Sequence, residues 1–137
     1  MLELTIGTTD QGYLEEGPSW RDGTWPGGFK LKYRAHPPGE ADADSVYSFF
    51  GLEPAIYSLY LHWESQPNIN PWRTVVPHQI YDSDIIIATL DVDQSEKLLE
   101  FWKPMGSFNI QTGTMRVVAS SVLDNWMVAD GVRITKD

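Results

Sequence analysis

Two stretches of this chain alternate apolar and polar side chains, and that period of two constrains the fold more than any other feature. In residues 55–64, Ala55, Tyr57, Leu59, Leu61 and Trp63 fall on one side, and Ile56, Ser58, Tyr60, His62 and Glu64 on the other. In residues 29–36, Phe29, Leu31, Tyr33 and Ala35 oppose Lys30, Lys32, Arg34 and His36. Successive side chains of an extended strand point to opposite faces, so each stretch reads as a strand with one face turned to a core. Residues 2–6 and 114–121 alternate in the same way, the latter with Met115, Val117 and Ala119 on one face. Pro77 marks residues 74–81 as an edge or broken strand, because proline cannot donate to a ladder. Residues 85–93 begin as a continuous apolar run with Ala88, Leu90 and Val92 inward, which predicts a central strand.

Two segments read as helices. At 94–103, Asp93 and Glu96 stand at capping-box spacing, Leu98, Leu99, Phe101 and Trp102 make an apolar stripe, and Pro104 stops it. At 45–50, Asp42 or Asp44 supplies the cap and Gly51 the end. Asp130-Gly131 signals a type I′ hairpin that pairs Ala129 with Val132 and Met127 with Ile134, leaving Trp126, Val128, Arg133 and Thr135 on the opposite face. Residues 7–28 hold six glycines, two prolines and two tryptophans, and read as one long Gly/Trp-rich loop. Strands outnumber helices and no βαβ alternation occurs, so the expected class is mainly β (α+β). The expected architecture is an antiparallel β-sandwich or small barrel with one packed helix at 94–103 and a short one at 45–50. A length of 137 residues without repeat, low-complexity tract or linker predicts one domain, 1–137.

Nineteen acids against ten lysines and arginines give a net charge of −9. That balance argues against direct nucleic-acid binding or attraction to anionic membrane, and for a basic partner. No run reaches the ~18 apolar residues of a membrane span and no signal peptide opens the chain, so the expected location is cytoplasmic or virion. With no cysteine, thiolate chemistry and disulfides are excluded. No nucleophile elbow or phosphate-cradling loop occurs. Three Asp-x-Asp pairs (42/44, 82/84, 91/93) read as helix caps and a turn. His62, Glu64 and His78 would suit zinc or iron if they converged, but a half-exposed polar strand face accounts for them as well. No catalytic residue, metal site or cofactor is expected from these patterns.

Binding is assigned to the surface. Trp20, Trp25 and Trp72 fall in loops and Trp126 on the outer hairpin face, where aromatic rings can stack on sugars or anchor a protein partner. A satellite cluster under a folded-back loop would bury the loop tryptophans instead, and Trp126 could stack on Arg133. Trp63 and Trp102 are read as core. Lys30, Lys32 and Arg34 make a cationic ribbon that either protects a sheet edge or docks on an acidic surface. Residues 37–64 carry five acids and no lysine or arginine, and Glu40, Asp42 and Asp44 are the candidate contacts for a basic partner.

Residues 85–121 place a strand before Asp93-Gln94-Ser95-Glu96-Lys97-Leu98-Leu99-Glu100-Phe101-Trp102, then Gly106-Ser107-Phe108 and a further strand. This segment resembles the strand–helix–strand unit of tailed-phage minor tail and tail-tube proteins. The resemblance implies a structural β-sandwich whose edges and loops pack on neighbouring copies, without catalytic residues. The leading expectation is therefore a non-catalytic assembly protein, a virion or tail component with protein partners that include copies of itself. Two alternatives stand beside it: an acidic inhibitor or immunity-type protein covering a basic partner, and a carbohydrate-binding module using Trp20, Trp25 and Trp72.

Overall fold

Within the alternating segment, Ala55–His62 form a strand with the core face as read, Tyr57, Leu59 and Leu61 being buried along with Trp63 just beyond it. The computed structural model describes residues 2–23, 33–39, 43–63, 75–96, 98–123 and 126–137. Among these lie twelve strands: β1 (Glu3–Ile6), β2 (Tyr13–Glu16), β3 (Arg21–Gly23), β4 (Tyr33–His36), β5 (Asp44–Phe49), β6 (Ala55–His62), β7 (Val75–Asp82), β8 (Ile85–Asp93), β9 (Lys103–Ile110), β10 (Met115–Ser120), β11 (Met127–Ala129) and β12 (Gly131–Lys136). They pair antiparallel in three sheets of order β1-β12-β6-β9, β2-β5-β10-β7-β8 and β11-β4-β3. One core joins them: Leu59, Leu61, Val132 and Ile134 from the first sheet, Tyr47, Ile80, Met115 and Val117 from the second, Tyr33 and Val128 from the third. The arrangement is sandwich-like and does not close into a barrel.

Neither expected helix forms. Residues 45–50 fall largely in β5, where Ser45, Tyr47 and Phe49 are buried and Val46 is half-buried between β2 and β10. Aromatic and β-branched side chains fit that pleated surface better than a helical turn. At 94–103, the Asp93 carboxylate accepts from the backbone N–H of Ser95, an Asx-type turn that competes with a helical start. The Gln94 side chain then donates to the Val128 carbonyl and accepts from the Val128 N–H, both at 2.8 Å. That pair of bonds draws the chain inward at its first residue. The supposed apolar stripe is split, with Leu98 packed on the core, Trp102 half-buried, Phe101 exposed and Leu99 fully exposed.

Four further expectations are corrected. The 7–28 loop contains β2 and β3; at Gly12, φ is +100° and a Cβ would stand 2.8 Å from the Ser48 carbonyl oxygen, so glycine lets β2 approach β5. The strand carrying Pro77 is interior rather than an edge, and it tolerates proline because its register with β10 stops at His78. β8 is an edge strand, with Ile85 65% exposed and a bulge opposite Ile80/Tyr81. Asp130-Gly131 makes no hairpin. β11 pairs with β4 and β12 with β6, so the buried Asp130 marks a crossing between sheets.

Asp82 ties the β7–β8 turn to the β9–β10 turn: its carboxylate accepts from the N–H groups of Gln111 and Thr112 and from the Thr112 hydroxyl. Burial pushes its pKa up, but those donors outweigh it and hold the carboxyl below its ordinary value. Asp82→Ala is expected to lower stability by about 1–2 kcal/mol in urea unfolding at pH 7. The difference should shrink as the pH falls through the carboxyl's depressed folded-state pKa, where the wild type loses the same bonds.

Candidate functional site

The outer face of the four-stranded sheet carries two cross-strand rows. The register aligns Glu3, Thr135, Ser58 and Ser107 in one, and Thr5, Arg133, Tyr60 and Pro104 in the next. Neighbouring strands lie 4.7–4.9 Å apart, so the four-residue polar row spans about 14 Å. The segment between β8 and β9 rises beside these rows and brings Phe101 and Trp102 over them. Together they enclose a groove of about 670 Å³, lined by Glu3, Ser58, Tyr60, Glu100, Phe101, Trp102, Arg133, Thr135, Lys136 and Asp137. That volume lies in the range of small-molecule sites.

The groove is polar on its floor and aromatic on its wall. The Arg133 guanidinium sits 4.7 Å from the centre of the Trp102 ring and 3.3 Å from the Glu3 carboxylate. Ser58 donates to Asp137 at 2.6 Å and stands 3.0 Å from the Ser107 hydroxyl. Lys136 pairs with Glu53 at 2.6 Å. Both groove cations are thus already matched by carboxylates, while Glu100 and Asp137 add negative charge. A sugar ring offers C–H groups on its face and hydroxyls around its rim; aromatic rings suit the former, and the serines, Thr135 and the charged groups suit the latter.

Behind His62, which touches Phe101 and Trp102, lies an interior polar cluster. His62, His78, Asp130, Gln94, Ser45 and Tyr47 line a cavity of about 10 Å³. His62 Nε2 is 3.6 Å from the Asp130 carboxylate, and the Tyr47 hydroxyl donates to the Asp130 carbonyl. Two of the three residues considered for a metal do approach one cavity, and Glu64 lies outside the described residues. Among the described residues no group of three potential ligands is placed to hold an ion.

The expected binding residues fall elsewhere. Trp20 donates its Nε1–H to the Glu16 carbonyl, packs edge-on against His36 and covers the small cluster of Val76, Ala119 and Met127. Trp126 is partly buried, and Arg21, not Arg133, lies over its ring at 5.3 Å. Arg34 is held by Glu15 and Asp22, both at 2.6 Å, so it does not stand in an open ribbon. Asp44 is half-buried in β5, opposite Glu16 and Ser120. Trp25, Trp72, Lys30, Lys32, Glu40 and Asp42 lie outside the described residues. The groove's own residues were partly visible in the sequence: Ser58 and Tyr60 share the polar face of their strand, as Arg133 and Thr135 share theirs. Trp102 was missed because a helix would have turned it inward.

No protein-family model matches the chain, and no curated protein matches it. Solved structures do. The fold is shared with β-sandwich carbohydrate-binding modules. A family 35 module from Clostridium thermocellum superposes with a TM-score of 0.67 at 11% identity, over 100% of both chains. The CBM36-1 domain of a multidomain xylanase from the hindgut metagenome of Trinervitermes trinervoides gives 0.63 at 14%, over 99% of this chain and 98% of that one. A Paenibacillus xanthan lyase gives 0.82 at 20%, covering 98% of this chain, which spans 13% of the lyase. These findings overturn the resemblance to phage tail proteins, and the segment that carried it has a turn where the helix should be. They give no support to assembly or inhibitor readings, or to protein partners. No helix among the described residues is long and apolar enough to cross a membrane.

Proposed function

We propose that this chain is a single-domain carbohydrate-binding module whose groove on the four-stranded sheet takes an uncharged glycan. The observation that carries this is the placement of Tyr60, Phe101 and Trp102 around a row of hydroxyl and carboxylate groups in a groove of sugar-binding size. The shared fold supports the reading. Charge selects among glycans: both groove cations are paired, acids outnumber bases there, and the whole chain carries −9, so a polyanion meets repulsion.

Titration calorimetry against soluble neutral polysaccharides and uronate-rich ones, at low and moderate salt, tests this. At least one neutral glycan is expected to bind with an affinity that salt leaves unchanged. Binding to none of them, or only to a polyanion in a salt-sensitive manner, would overturn the proposal.

A further inference from the structure

We infer that His62 is a positioning residue, which holds the aromatic wall of the groove in place through its contacts with Phe101 and Trp102; its role in binding rests on the glycan reading above. Among the described residues, the segment joining β8 to β9 pairs with no strand, and side-chain tethers hold both of its halves. Its first half is fixed by Gln94 on the Val128 backbone, and by Trp63 donating to the Glu96 carbonyl at 3.0 Å. Its second half carries Phe101 and Trp102, and there His62 makes three contacts. The Phe101 carbonyl can only accept, so His62 Nδ1–H donates to it, at 2.7 Å. The imidazole lies flat on the Phe101 ring, with centroids 3.7 Å apart and planes within 4°. Trp102 meets the same imidazole edge-on at 6.1 Å.

The backbone of His62 is fixed as well. The residue is the last of β6, pairs with Gly131 in register, and turns Nε2 towards Asp130 at the crossing between sheets. One residue therefore links the wall of the groove to β6 and β12, two of the strands that form its floor. Trp102 in turn carries the Arg133 guanidinium, so a shift of the wall would move both groups that face a ligand.

Three substitutions separate the contacts. His62→Asn keeps a donor close to the Nδ1 position and loses the stacked ring; His62→Phe keeps the ring and loses the donor; His62→Leu loses both. Affinity for the best neutral glycan is expected to fall about 5–50-fold in His62→Leu and less in the other two. The near-ultraviolet circular dichroism assigned to Trp102, taken as the difference between wild type and Trp102→Phe, should weaken in the same order. A role confined to stability would lower the unfolding midpoint and leave both readouts at wild-type values. That result in any folded variant overturns the inference, and the Asn and Phe variants supply it if the Leu variant does not fold. If the wild type binds no glycan, the Trp102 signal still decides whether His62 positions the wall, so the two failures are distinct.

Discussion

Taking the protein from pH 7 to pH 4 is expected to remove about 3 kcal/mol of stability through His78 alone. The side chain is buried in β7, and its Nδ1 lies 3.0 Å from the Val76 carbonyl. Burial disfavours the imidazolium and lowers the pKa from 6.5 to about 4, the Val76 bond opposing this only in part. Between those two values the unfolded chain binds a proton that the folded chain refuses. Stability therefore rises with pH across that window: the contribution is complete above about 6.5, declines below it, and is gone near 4. His78→Asn keeps a donor for the Val76 carbonyl and cannot titrate, so it should lack this part of the acid slope. Urea unfolding of both proteins at pH 7, 5.5 and 4 makes the comparison, with the many carboxylates cancelling between them. Parallel pH dependence of wild type and variant would show that His78 is not the group responsible.

The strands were legible wherever one face of a segment meets the core and the other meets water. Ala55–His62 is the clearest case, since alternation there follows directly from burial on one side of a sheet. The segment at 94–103 misled for a physical reason. Its capping and periodicity satisfy a helix locally, yet two hydrogen bonds from Gln94 to a backbone 34 residues away decide its path, and no local pattern reports them. The Asp-Gly pair at 130–131 failed likewise: a strong turn signal is overridden when each flanking strand has a better partner in a different sheet. The groove needed the topology. Tyr60 and Arg133 stand on outward faces that the sequence identifies, but only the order β12-β6 sets them side by side, and only the missing helix frees Trp102 to face them. The six tryptophans drew attention to aromatic recognition, while the described ones nearest that expectation, Trp20 and Trp126, are spent on packing.

Trp102→Ala is expected to weaken glycan binding about 10–100-fold, the loss of roughly 1.5–3 kcal/mol of aromatic contact and of the ring that holds Arg133. Two effects combine at this position. The ring supplies apolar surface to the groove, and it helps fix a guanidinium that also contacts Glu3 and Thr5. Trp102→Phe retains part of the first effect and less of the second, since phenylalanine offers a weaker face to a cation, and it should fall between wild type and alanine. Trp20→Ala is the matched control. It removes a ring packed on His36 and the small Val76 cluster, so it should lower the unfolding midpoint and leave affinity within about twofold, as expected of a surface that touches no ligand. Calorimetric titration beside thermal unfolding distinguishes the cases. Should Trp20→Ala abolish binding while Trp102→Ala leaves it intact, the ligand sits by the three-stranded sheet, and the groove is not where this protein recognises sugar.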